Sequence, residues 1–149
     1  MNKKIKEYFK DVCIRTSKLS TCVSKQVGVV LIKDLRIIAI GYNGVPSGVK
    51  HCNEKFDENN FDREEHHDWS HLNENHAEQN LVSFCAKNGI IMNNTILLIS
   101  MSPCINCAKI ILNSGVKKII FIEWYDLSDD GVKFLNNNNI ECVNYDEWI

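Results

Sequence analysis

His76-Ala77-Glu78 and Ser102-Pro103-Cys104-Ile105-Asn106-Cys107 carry the residue types of metal-assisted hydrolysis. One His and two Cys supply three ligands for zinc, a fourth position stays open for water, and a carboxylate moves protons. Cys104 and Cys107 are three apart, which puts both sulfurs on one face of the first turns of a helix. Free backbone amides and the positive end of the helix dipole favour thiolate there, the metal-binding form. Ser102 as N-cap and Pro103 as first helical residue would start that helix. In a regular helix His76 and Glu78 point about 200° apart. The site therefore requires His76 at the very start of a second helix, with Glu78 leaning over the open position. The competing reading is a structural cysteine pair and a Glu that merely caps.

The elements that must position these residues follow from pattern. Thr95 to Ser100 is a short apolar strand leading into the Cys pair, and Ser114-Gly115 stops the helix that follows. Leu81, Val82, Phe84 and Cys85 recur at helical spacing after His76 until Asn88-Gly89. Residues 3–18 read as an amphipathic helix with Ile5, Tyr8, Phe9, Val12 and Cys13 inward and its lysines in solvent. Val27 to Ile32 and Ile37 to Tyr42 form a hairpin around Lys33-Asp34-Leu35-Arg36. Gly41-Tyr42-Asn43-Gly44-Val45-Pro46 then brings turn chemistry. A strand at 118–123, a helix from about Ser128 to Leu135 and a last strand at 140–144 complete the order. This predicts a single α/β domain over residues 1–149, a three-layer α/β/α sandwich on a mixed five-stranded sheet.

Ser47 to Asn75 is polar and lacks clear periodicity, which predicts a long functional loop. All five His lie between His51 and His76, together with Cys52. That clustering suggests a second metal site, with His51, His66, His67 and His71 as competing nitrogen ligands.

Composition narrows the function class. Seven Cys with one C-x-x-C fit reduced thiols and metal better than a disulfide framework, hence a cytoplasmic location. No apolar run has membrane-spanning length, and the Lys-rich start lacks the apolar stretch of a signal peptide. A formal net charge of −2 gives no global pull toward nucleic acid, so a small-molecule substrate is expected.

The pattern H-x-E…P-C-x-x-C is a known general signature of zinc nucleobase deaminases. With Ser20-Thr21-Cys22, Gln26-Val27-Gly28, Gly41 to Gly48, His51-Cys52, His76 to Asn80, Ser102 to Lys109 and Ser114 to Lys118, the chain resembles the phage and bacterial deoxycytidylate deaminases of the cytidine deaminase-like superfamily. The resemblance spans nearly the whole chain, and Gly-Tyr-Asn-Gly-x-Pro is its most specific element. It implies hydrolysis of dCMP to dUMP and ammonia, with catalytic zinc on His76, Cys104 and Cys107 and Glu78 as general base then acid. It places the Ala77 amide on the base carbonyl, the Ser102 carbonyl on the amine, Asn43 on the sugar and Tyr125 against the base, with Ser24 and Lys25 near the phosphate. It implies a second, structural zinc on Cys22, Cys52, His66 and Glu74. It further implies a homohexamer, activated by dCTP with Mg²⁺ and inhibited by dTTP, the effectors meeting Gly44, Val45, Pro46, Asn80, Phe84 and Lys87. Cys13, Cys85 and Cys142 are left as buried, inert thiols.

Two rivals stay open on sequence. A deaminase of another base, including a tRNA enzyme, should show a basic face with aromatic platforms, which a slightly acidic chain does not suggest. A zinc-stabilised binding module would have no need of Glu78.

Overall fold

The structure, a computed structural model, describes residues 1–149. Side chains alternate between the two faces of its strands, and the sequence fills both with aliphatic groups. Val29 and Leu31 of β1 (Gly28–Lys33), Leu97 and Ile99 of β3 (Ile96–Met101), and Ile119 and Phe121 of β4 (Lys118–Glu123) face one way. They pack against α4 (Ala77–Asn88), α5 (Ile105–Ser114) and α6 (Asp130–Asn137) through Leu81, Ile111, Val132 and Leu135. Val30, Ile32, Leu98 and Ile120 face the other way, onto Phe9 and Cys13 of α1 (Lys3–Ser17) and onto Trp148 near the C-terminus. The three layers follow from strands buried on both faces.

The sheet has five strands in the order β2-β1-β3-β4-β5, with β2 at Arg36–Tyr42 and β5 at Glu141–Asn144. β1 pairs antiparallel with β2 and β3, whereas β3, β4 and β5 run parallel, so the sheet is mixed as expected. The paired ends Met101 and Glu123 of β3 and β4 open onto residues 102–104 and 124–127. Ligands of α/β sheets gather at such carboxyl ends.

Three expectations are corrected. Residues 47–75 are not one loop: they hold α2 (Cys52–Lys55) and α3 (Arg63–Asn73), the latter capped by Asp62, which accepts from the Glu65 N–H at 2.8 Å. The C-x-x-C helix starts at Ile105 with Cys104 as N-cap, so neither Ser102 nor Pro103 belongs to its first turn. Tyr8 is exposed, because α1 needs only Phe9 and Cys13 as fully buried groups on the sheet. Phe84, which the resemblance implies as an effector contact, is half exposed on α4. No helix is long and apolar enough to cross a membrane.

Candidate active site

Two helix N-termini meet at the site. His76 is the N-cap of α4, with extended backbone (φ −69°, ψ 158°), and its N–H donates to Gln79 Oε1 at 2.7 Å. Cys104 is the N-cap of α5, and its sulfur accepts from the Cys107 N–H at 3.5 Å. A cap side chain turns back across its first turn, so both caps reach the same point. His76 Nδ1 lies 3.5 Å from Cys104 Sγ and 3.3 Å from Cys107 Sγ. Glu78, buried in the first turn of α4, stands beside this trio. The requirement that His76 open its helix is met.

A tetrahedral ion with bonds of about 2.0–2.3 Å holds its ligand atoms roughly 3.3–3.8 Å apart. The trio fits that spacing and offers three donors with the fourth position free. Hydrogen bonding from Cys107, then from His76, holds the Cys104 thiol down to about 4, while Cys107 is pushed far up by its bond to Cys104. His76 is raised mainly by Cys104. Without metal, the trio thus holds a Cys104 thiolate hydrogen-bonded by Cys107 and His76. Burial raises the Glu78 carboxyl above the usual carboxylate range, which suits a group that must both take and return a proton.

A second cluster also forms. Cys22, Cys52, His66 and Glu74 bring their ligand atoms within 4.8 Å of one another. His66 Nε2 is 3.6 Å from Cys22 Sγ, 3.3 Å from Cys52 Sγ and 3.8 Å from Glu74 Oε1. His66 is therefore the histidine that enters the cluster, while His51 Nδ1 lies 3.4 Å from Thr21 Oγ1 and His67 and His71 face a cleft. Glu74 Oε2 is buried without a hydrogen-bond partner. A buried carboxylate oxygen left bare is costly, and a cation at this point would satisfy it. Four closed donors suit a structural zinc site. Burial pushes the Cys22 thiol up to about 12 and raises Cys52, so metal entry must displace their protons. Phe56, Phe61 and Trp69 wrap this cluster.

A cleft of about 590 Å³ joins the two clusters, lined by Glu74 and Cys22 at one side and His76, Glu78 and Cys104 at the other. Ser24, Lys25, Asn43, Ala77, Ser102 and Tyr125 all line it. Several of them also hold its walls. Asn43 Oδ1 accepts from the Val27 N–H and its Nδ2 donates to the Lys25 carbonyl, both at 2.8 Å, clamping the 25–27 segment to the end of β2. The Ser102 hydroxyl accepts from the Tyr125 N–H at 2.7 Å. Lys25 Nζ donates to Asp126 at 2.7 Å and sits 4.8 Å from the Tyr125 ring centre. Ala77 is the first helical residue of α4, where an N–H has no partner inside the helix.

Sequence reasoning missed Arg63, Ser70 and Asn106 as cleft residues and did not place His67 and His71 there. The Asp62…Glu65 start signal, with Arg63, His67 and His71 four apart, could have revealed the helix that carries them.

Residues 3–123 match the family described as "Cytidine and deoxycytidylate deaminase zinc-binding region". The chain belongs to this family. Among curated relatives, the deoxycytidylate deaminase of Enterobacteria phage T2 is 33% identical, covering 86% of this chain and 85% of its own. The phage T4 deoxycytidylate deaminase is also 33% identical, over 86% and 83%. Among solved structures, the dCMP deaminase of cyanophage S-TIM5 in complex with dCMP and dUMP aligns at a TM-score of 0.80 and 30% identity, over 97% of this chain and 98% of that one. The deaminase family resemblance read from the motifs is borne out, as is the fold class.

Proposed function

We propose that this chain is a zinc-dependent deaminase converting dCMP and water to dUMP and ammonia. The observation that carries the proposal is the buried Glu78 carboxyl beside a three-donor cluster with one open position. Its likeness to phage deoxycytidylate deaminases along most of both chains fixes the substrate class.

Bound by His76, Cys104 and Cys107, zinc supplies Lewis-acid chemistry that brings the pKa of a water it holds toward 7. Glu78 removes a proton from the attacking water as its oxygen bonds to the ring carbon bearing the amine, and hands that proton to the ring nitrogen. It then carries the second water proton to the amine. The carbon–nitrogen bond breaks, ammonia leaves, and the ring carbon keeps the oxygen as a carbonyl. The Ala77 N–H holds the base carbonyl and the Ser102 carbonyl accepts from the amine. Asn43 keeps one amide hydrogen beyond its bond to Lys25 for the sugar, and Tyr125 packs on the base. Ser24 and Lys25 stand at the mouth, toward the phosphate. Cys22, Cys52, His66 and Glu74 hold a second, structural zinc.

Regulation belongs to the same reading. Asn80 Nδ2 donates to the carbonyls of Tyr42 (2.9 Å) and Gly44 (3.3 Å), tying the Gly44-Val45-Pro46 turn to α4. Asn80, Phe84 and Lys87 share one face of α4 by their i, i+4, i+7 spacing. This face takes dCTP with Mg²⁺ as activator and dTTP as inhibitor, in a homohexamer working in the cytoplasm as one catalytic domain. The test is turnover of dCMP beside deoxycytidine and dCTP, with and without each effector, on a sample whose mass is read by light scattering. Preference for dCMP, both effector responses and a six-chain mass are expected. No dCMP turnover under any effector would overturn the substrate, and a monomer indifferent to effectors would overturn the regulation.

A further inference from the structure

α3 presents two faces with different chemistry. At about 100° per residue, Arg63, His67, Ser70 and His71 fall within roughly 100° of arc. All four line the cleft between the two clusters. His66 and Trp69 lie beside that arc and turn into the Cys22–Cys52–Glu74 cluster and its aromatic wrapping. The helix is thus fixed by one face and offers the other to the cleft.

The offered face is unpaired. Every ion pair in the chain is made by other residues, and Arg63, His67, Ser70 and His71 make no side-chain hydrogen bond. The Arg63 guanidinium rests only on the Phe61 ring, 5.6 Å from its centre. Lys25, which the reading above also turns toward the phosphate, is already engaged by Asp126 and Tyr125 and leaves the principal contact to another cation. The acidic groups on the cleft wall, Glu74 and Glu78, are both turned toward the clusters, so they do not neutralise Arg63. Asp62, Glu64, Glu65 and Asp68 of the same segment do not line the cleft, so on its wall these four donors without side-chain partners fit an oxyanion.

We propose that this face of α3 recognises the 5′-phosphate of the nucleotide, with Arg63 as the principal anchor and His67, Ser70 and His71 as further donors. The inference rests on the deaminase reading above. It makes the second ligand cluster a specificity device as well as a staple: the His66 ligand holds in place the helix that selects a nucleotide over a nucleoside.

Calorimetric binding of dUMP and of deoxyuridine tests this without turnover. Zinc-loaded wild type, Arg63→Ala, Arg63→Lys and His67→Ala are compared, with zinc counted on each. Arg63→Ala is expected to weaken dUMP about tenfold or more and His67→Ala about threefold, with Arg63→Lys recovering part of the loss. Deoxyuridine should bind all four alike, and the change in dCMP turnover should reside in KM. Unchanged dUMP affinity, an equal loss for deoxyuridine, or a loss confined to dTTP would each overturn the proposal. Should wild type bind dUMP and deoxyuridine with this discrimination yet fail to turn over dCMP, the deaminase reading falls while the phosphate site stands.

Discussion

Glu74 and His76 stand two residues apart, yet their side chains enter different ligand clusters. Glu74 closes α3 as its C-cap and His76 opens α4 as its N-cap. Asn75 between them is pinned to Gly44 by a pair of backbone bonds at 3.1 and 2.9 Å. The two sites are therefore rigidly joined through one residue.

Glu74→Ala should lower the zinc content from two per chain to one and loosen α3. That helix buries little apolar surface beyond Trp69, and a closed metal site supplies folding free energy that apolar burial does not. The melting temperature should fall by more than about 5 °C, on a scale of about 2–4 °C per kcal/mol for a chain of this size. Two zincs and an unchanged transition would contradict the second site.

Thiol chemistry separates the seven cysteines. Cys104, held down to about 4, is thiolate throughout the neutral range once metal is removed, whereas an ordinary thiol ionises near 8.5. Cys13 and Cys142 are pushed up to about 12 by burial, and Cys85 is raised by it too. Iodoacetamide should modify Cys104 first in the chelated protein, at a rate already level at pH 6. Zinc-loaded protein should be protected there. A rate that climbs through pH 8–9 would contradict the thiolate assignment.

Gly41 lies under the start of α4. A Cβ there would meet the Ala77 carbonyl at 2.8 Å and the Leu81 Cβ at 3.0 Å. Gly41→Ala must push α4 outward, carrying His76 and Glu78 with it. The expected cost is about 1–3 kcal/mol in stability and a larger fractional loss of kcat than of folded protein. Activity falling only in proportion to the folded fraction would sink this argument.

Much of this architecture was legible before any coordinates. Residues at helical and alternating spacing located α1, the β1–β2 hairpin, α4, β3, α5, β4 and β5, because each buries an apolar face against the sheet. The H-x-E and C-x-x-C elements were legible because zinc chemistry restricts residue type and spacing so tightly. α3 was not legible: its inner face is His66 and Trp69 rather than a run of aliphatics, and its partners are ligand atoms and two aromatics from the preceding segment. Apolar periodicity cannot register a helix held that way. The start of α5 was misplaced for a related reason. Ser102 is a good N-cap by type, but its hydroxyl serves the Tyr125 N–H, and the Cys104 sulfur caps the helix instead.

The most direct test compares zinc-loaded wild type with Glu78→Gln, following the ultraviolet change of dCMP to dUMP while zinc is counted on both. Turnover by wild type, equal zinc in the two proteins, and a loss of at least about 10²–10⁴-fold in kcat for the variant are expected. Turnover surviving in Glu78→Gln with zinc retained would contradict the role given to Glu78, and with it the deaminase mechanism.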